Sequence, residues 1–262
     1  MHLSGGCFTG YWIFALIIYW TKAGRKEVLT CFLFIDSSGI KTEKHMKDKA
    51  YKNNLYEGLS KLLKALANPI RLEIIEMLSQ GEKSVEGVVK ATGITFANAS
   101  QHLQVLKNNN IVKTRKEGHY VYYSIASNEF LTCYQNIIDY GIREIAELER
   151  TLNKHREEYQ TSGAVSLEEL EEKLQRKDVL VIDVRPHIEY EFGHIPGAES
   201  VPVNELLDKL KDIPKDKEII AYCRGPFCAL SDEAVKVLLE KGYKAERLHE
   251  GFPEWKMKHL KE

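Results

Sequence analysis

Six consecutive residues, Cys223-Arg224-Gly225-Pro226-Phe227-Cys228, place a thiol, a guanidinium and a Gly-Pro turn beside a second thiol. The apolar run Glu218 to Tyr222 before them reads as a strand, and Ala229 to Lys241 after them reads as a helix. A thiol at a strand-to-helix junction meets loop N-H groups and the positive end of the helix. Together with the Arg224 guanidinium these favour thiolate over thiol and attract an oxyanion. An accessible ionised thiol is a nucleophile, so Cys223 and Arg224 are the candidate catalytic pair, and Gly225, Pro226 and Phe227 shape the loop. Cys228 has two open roles: a resolving thiol for Cys223, or a small side chain lining the loop.

A second constellation suits nucleic acid. Asn98, Ser100, Gln101 and His102 are short polar residues on a stretch whose apolar residues Ala99, Leu103 and Leu106 form the other face, which suits contact with base edges. Lys113, Arg115, Lys116 and His119 surround a predicted hairpin tip at Glu117-Gly118 and supply charge for phosphates.

The elements that must hold these residues follow from apolar spacing and caps. A first helix carries Leu55, Leu59, Leu62, Leu63 and Leu66 as a buried stripe. Asn68-Pro69 caps and opens a second, Ser84 caps a third, Thr92-Gly93 turns the chain and Thr95 caps a fourth. Two strands, 111–114 and 120–125, form the hairpin. A long helix from Glu129 to Tyr159 places Tyr134, Ile138, Gly141, Ile145, Leu148 and Leu152 on a coiled-coil-like seam, which suits a homodimer interface. Beyond it, Ser166 and Glu169 form a capping box, and strands 179–182 and 218–222 separated by helical stretches indicate a parallel sheet.

The whole is an α+β winged helix-turn-helix domain followed by an α/β domain with a central parallel sheet. Four segments are expected: a leader of doubtful origin (1–45), a DNA-binding and dimerisation domain (46–157), a polar linker (158–163) and the parallel-sheet domain (164–262). The 262-residue length favours two domains, and 44% hydrophobic with 29% charged residues is an ordinary globular composition. A net charge of -1 excludes a globally basic nucleic-acid binder and leaves room for a local basic patch. Five widely spaced cysteines do not resemble a secreted disulfide framework, so a reducing, cytoplasmic location is expected.

The run Tyr11 to Trp20 makes only about 15 Å of helix, too short to span a bilayer. The leader is read as functionless or as the product of a start codon upstream of Met46, with a peripheral membrane anchor as the other reading; no membrane partner is expected. Cys133 is expected to be a small core residue rather than a sensor. His155 with Glu149 and Glu158 is read as a solvated charged face, and no metal site is expected.

Leu66-Ala67-Asn68-Pro69-Ile70-Arg71-Leu72, then Ala99-Ser100-Gln101-His102-Leu103 and the wing, resemble the ArsR-type repressor family. That resemblance implies a homodimer on a palindromic double-stranded DNA operator, with the fourth helix as recognition helix. The third helix lacks the cysteines that metal- or sulfur-sensing members carry. Asp183-Val184-Arg185, Gly193-His194-Ile195-Pro196-Gly197-Ala198, Tyr222-Cys223-Arg224 and Glu250-Gly251-Phe252-Pro253-Glu254-Trp255 resemble the rhodanese family, in order. This second resemblance implies that Cys223 accepts sulfane sulfur as a persulfide from a small donor such as thiosulfate or a persulfide. It then passes the sulfur to a thiol acceptor, with no metal or organic cofactor. Related phosphatases use a loop one residue longer ending in arginine, which argues against phosphatase activity. Asp183, Arg185, Glu189 and His194 are read as structural. Two functions follow: a transcription factor whose operator affinity responds to Cys223, or a sulfurtransferase that uses the winged helix as a dimerisation scaffold.

Overall fold

The computed structural model describes residues 5–8, 11–22, 25–36, 41–161, 163–176 and 179–259, in two compact units, 1–62 and 63–262. In the first unit β1 (Gly5–Phe8), β2 (Tyr11–Lys22) and β3 (Arg25–Asp36) form an antiparallel sheet, followed by α1 (Lys41–Leu66). The run weighed at helical length is therefore a strand, in keeping with its aromatic and β-branched content. Leu55, Leu59 and Leu63, expected to be buried, are 55%, 51% and 52% exposed. Helical spacing puts them on one face but does not supply something to cover it. Among the described residues no helix is long and apolar enough to cross a membrane.

The second unit opens with a winged helix. α2 (Pro69–Ser79) starts where the Asn68 side chain accepts from the Arg71 amide, with Pro69 in the first turn. β4 (Lys83–Ser84) leads into α3 (Val85–Thr92), capped by Ser84 and closed by Gly93 at φ 72°, a left-handed position that favours glycine. α4 (Phe96–Asn108) starts at Thr95, whose hydroxyl accepts from the Asn98 amide. β5 (Val112–Glu117) and β6 (Tyr120–Ile125) form the wing, in a sheet ordered β4-β6-β5. Ile74, Ile75, Leu78, Val88, Leu103 and Leu106 make the core under it.

The single helix expected from Glu129 to Tyr159 is two: α5 (Asn128–Glu144) and α6 (Ala146–Tyr159), with Ile145 extended at φ −104°, ψ 95°. Leu148 of α6 packs over Gly141, its Cδ1 3.4 Å from where a Cβ would stand. Ile145 is left 50% exposed instead of continuing the seam. On α5 the buried residues Leu131, Tyr134 and Gly141 face inward. Cys133 lies on the opposite face with Ile137 and Tyr140 and is exposed, which corrects its reading as a core residue.

After α6 come β7 (Ala164–Val165), α7 (Leu167–Arg176), β8 (Val179–Asp183), α8 (His187–Phe192), β9 (Glu199–Ser200), α9 (Leu206–Lys209), β10 (Glu218–Tyr222), α10 (Leu230–Glu240), β11 (Lys244–Leu248) and α11 (Phe252–His259). The five strands are parallel, in the order β7-β11-β10-β8-β9. β8 is buried along its whole length because both faces of the sheet are covered, which is why it reads as a continuous apolar run. The capping box is formed, Ser166 and Glu169 exchanging amide and side-chain bonds of 2.8 and 3.2 Å.

The segment read as a polar linker is anchored. Thr161 is 3% exposed, donates to Asp232 at 2.5 Å and accepts from Arg247 at 3.3 Å. His155, read as solvated, lies tilted against the Tyr159 ring at 4.6 Å and 3.8 Å from Asp232. α6 lies on α10, and polar composition cannot distinguish a free linker from one whose few polar groups have buried partners.

Candidate functional site

Cys223 follows β10, the central strand of the sheet, and its loop runs into α10. It is 2% exposed. Its Sγ lies 3.3 Å from the Cys228 carbonyl, 3.4 Å from the Ser231 hydroxyl and 3.9 Å from the Gly225 carbonyl. Burial works against ionisation, but hydrogen bonds from Cys228, Ser231 and the Gly225 and Ser231 amides outweigh it and bring the thiol down to about 6. The Cys228 thiol is pushed up by its bond to Cys223 and by burial, so the proton stays on Cys228. Both thiols are free.

The loop is held from outside by backbone. A side chain at Gly251 would collide with the Arg224-Gly225 peptide, and the Phe252 amide donates to the Cys223 carbonyl at 3.2 Å. The string from Glu250 to Trp255 thus needs glycine at that position so that two backbones can touch.

Arg224 does not have the role expected of it. Its Nε and Nη2 each bond Glu189 at 2.9 Å, so its charge is committed to a buried carboxylate rather than aimed at Cys223. Burial would raise Glu189, but Arg224, Lys83 and Arg185 hold it below the usual carboxylate range. Arg185, fully buried, is clamped by Asp183 and donates to the Gly193 carbonyl at 2.8 Å. The Tyr222 hydroxyl bonds Asp183 at 2.6 Å and receives the Ile195 amide at 3.1 Å. His194 stacks on Tyr190 at 3.8 Å and bonds its carbonyl, closing the turn.

Sequence reading missed what this network joins. Gln80, the residue that ends α2 of the winged helix, is 1% exposed; its Oε1 accepts from Arg185 Nη1 at 2.8 Å and its Nε2 donates to the Arg224 carbonyl at 3.3 Å. Lys83, three residues on, pairs with Glu189 at 3.3 Å. Gln135 of α5 donates to Glu254 at 3.1 Å. None of these residues stands out in the sequence, because each is an ordinary polar residue on or at the end of a helix or strand.

On α4, Gln101 is exposed and Asn98 and Ser100 are half-buried, but His102 is 9% exposed and its Nδ1 has no partner. Burial and the Arg71 charge lower its basicity. His102 is a correction: it stands three residues from Ala99 and four from Leu106, on the helix's inner face. The outward row is Ala97, Gln101, Gln104 and Asn108, so the helical period adds Gln104 to the exposed polar face. Lys113, Lys116 and His119 are exposed on the wing. Arg115 is engaged, bonding Glu82 at 2.5 Å and Glu117 at 2.6 Å and lying 4.8 Å over the Tyr122 ring. Among the described residues no group of three or more His, Cys, Asp or Glu is placed to hold a metal ion.

Fold and site together define a winged-helix module joined to a parallel-sheet module with a thiol at its strand-to-helix loop. The model of the bacterial regulatory protein arsR family matches residues 68–114, and that of the rhodanese-like domain matches residues 166–258. The HTH-type transcriptional regulator Rv0324 of Mycobacterium tuberculosis is 36% identical over 206 residues, 78% of this chain and 89% of that protein. A sulfurtransferase of Allochromatium vinosum is 34% identical over 80 residues, covering 30% of this chain and 73% of its own length. A cadmium resistance transcriptional regulatory protein CadC homolog of Staphylococcus aureus is 41% identical over 86 residues, 32% of this chain and 69% of its own. The chain belongs to the ArsR family of transcriptional regulators and carries a rhodanese-like domain behind its DNA-binding module.

Proposed function

We propose that Cys223 carries sulfane sulfur as a persulfide and that its sulfur state sets operator affinity. The observation that carries this reading is the bridge at Gln80. One amide side chain caps the end of α2 and bonds the peptide next to the reactive thiol, while Lys83 at the entry to α3 shares Glu189 with Arg224. A loop that swells to hold an added sulfur displaces the Arg224 carbonyl, and Gln80 and Lys83 pass that displacement to the helices that present α4. Linkage is reciprocal, so operator DNA alters the equilibrium for sulfur loading by the same factor.

In this reading Cys223 is the nucleophile, Arg224 positions the loop through Glu189, and Gly225, Pro226 and Phe227 form the persulfide cradle. Cys228, held as a thiol, supplies a hydrogen bond and is placed to resolve the persulfide. Gln101, with Asn98, Ser100 and Gln104, reads bases; Lys113, Lys116, His119 and Arg115 meet phosphates, Arg115 by exchanging its carboxylates for them. The exposed leucines of α1 and the Ile137 and Tyr140 face of α5 suit a homodimer on a palindromic operator in the cytoplasm. The acceptor is a thiol, and no cofactor enters the transfer.

The test is operator affinity of the unloaded and the persulfidated protein at fixed salt, with Cys223→Ser as control. A several-fold difference that Cys223→Ser abolishes supports the reading. Equal affinity in both states leaves a regulator and a sulfurtransferase acting without coupling. Weak binding without sequence preference assigns the winged helix to a scaffold role.

A further inference from the structure

Cys223 is enclosed from three directions. Its side chain belongs to the core on one face of the sheet, with Ile182, Val184, Ala221 and Ala234. The backbone of Gly251 lies against the Arg224-Gly225 peptide of its loop. The third enclosure is the winged helix. Arg224 to Phe227 line a cleft of about 30 Å³ together with Glu76 of α2, Tyr134 and Ile138 of α5, and Glu254 of α11. A space of that size holds water but no sulfur donor. Burial lifts the Glu76 carboxyl to about 7, Arg224 opposes this, and the Cys223 charge adds to it, as expected if α2 stands near the sulfur.

α2 and α5 are tied to each other, the Tyr134 hydroxyl donating to the Leu72 carbonyl at 3.1 Å. They are bonded to the parallel-sheet domain through Gln80 to Arg185 and the Arg224 carbonyl, Lys83 to Glu189, and Gln135 to Glu254. Gly81 lies so close to Phe192 that a Cβ there would stand 2.7 Å from the ring. The extended backbone at Ile145 separates α5 from α6, and α6 leads into Thr161, which donates to Asp232 of α10. The break therefore falls between the helix that goes with α2 and the helix that stays with the sheet.

We propose that α2 and α5 together are a lid on the reactive loop, and that reagents reach Cys223 only when the winged helix swings away about Ile145. The proposal rests on the reading of Cys223 as the reacting thiol and adds how its access is controlled. The Gln80 bond to the Arg224 carbonyl, which senses the loop in the closed state, breaks before the loop reacts. Reaction at Cys223 then proceeds at the rate of an exposed thiolate multiplied by the fraction of molecules that are open, and any change that weakens the lid raises that fraction. A single opening admits small and bulky reagents alike, whereas a narrow mouth in a fixed loop sorts them by size.

The experiment is alkylation of Cys223 in the full-length protein at pH 8, where its thiol is ionised, read by peptide mass spectrometry. Iodoacetamide and fluorescein maleimide are compared at low concentration, in the unsubstituted chain, in Gln80→Ala and in the double variant Lys83→Ala, Gln135→Ala. Both variants are expected to speed both reagents at least tenfold and by the same factor. Amide hydrogen exchange should rise at the end of α2 and in the Cys223 loop while β8 and β10 stay protected. Rates unchanged in both variants, or iodoacetamide alone accelerated, overturn the lid. A variant whose β8 and β10 amides also exchange is unfolding, and the unsubstituted chain then decides. Measured against a peptide of the loop sequence, with each rate corrected for its thiolate fraction, equal protection from both reagents supports the lid and protection that grows with reagent size overturns it. Failure of the carrier reading is separate: the opened variants alkylate faster yet form no persulfide with thiosulfate or an organic persulfide.

Discussion

The ionisation of Cys223 is the property from which its chemistry follows, and Ser231→Ala is the perturbation that probes it. A thiol lowered from 9.0 to about 6 is about 90% thiolate at pH 7, against about 1% for an unperturbed one. The Ser231 hydroxyl, 4% exposed and 3.4 Å from Sγ, is one of the groups that outweigh burial. A hydrogen bond to a charged group contributes about 1.5–3 kcal/mol. Removing it raises the thiol by about one to two pH units, leaving about 10–50% thiolate at pH 7. The sign for stability is fixed by the same shift. A thiol lowered in the folded state stabilises the fold fully above the unfolded thiol's range, and that contribution is lost as pH falls through about 6. The assay is thiolate absorbance and alkylation rate against pH, each taken as the difference from Cys223→Ser so that the other thiols cancel. A Cys223 midpoint near that of an ordinary thiol, or one that Ser231→Ala leaves in place, refutes the account of how this loop holds its charge.

Four further outcomes are expected. Gln80→Ala leaves the buried Arg185 without one acceptor and lowers stability by about 2–3 kcal/mol, seen as a fall in melting temperature of about 4–12 °C; a melting temperature unchanged within a degree contradicts the bridge. Gln80→Glu retains the bond to Arg185 and loses the donor to the Arg224 carbonyl, so it should keep most of the stability and lose the response of operator binding to sulfur loading. Lys113→Ala and Lys116→Ala should each weaken DNA binding evenly across sequences and reduce the salt slope by about one, measured by anisotropy titration at several salt concentrations; Gln101→Ala should instead change sequence preference.

Much of the site was legible in order along the chain. The caps at Asn68, Ser84, Thr95 and Ser166 each rest on a side chain and an amide three residues apart, and local geometry of that kind is written in adjacent letters. So is the strand, loop and helix around Cys223. The errors have separate physical origins. His102 reads as outward by residue type, although its spacing from Ala99 and Leu106 places it inward and the same period places Gln104 outward. α5 and α6 read as one helix because both are good helical sequence, and the break lies in the extended backbone of Ile145. Cys133 was placed in the core by residue type, whereas the face it occupies decides its exposure.

The sequence by itself determined the winged-helix elements, their caps and the parallel sheet, since each depends on residues close together in the chain or on the period of burial. Tertiary structure decided what those elements do to one another. It gave Arg224 to Glu189 instead of Cys223, put Gln80 of the winged helix against the Cys223 loop, and set Glu76 and Glu254 in one cleft. These pairings join residues separated by tens to more than a hundred positions, and a buried hydrogen bond or charge depends on which surfaces the packing brings together, a choice that no local spacing encodes.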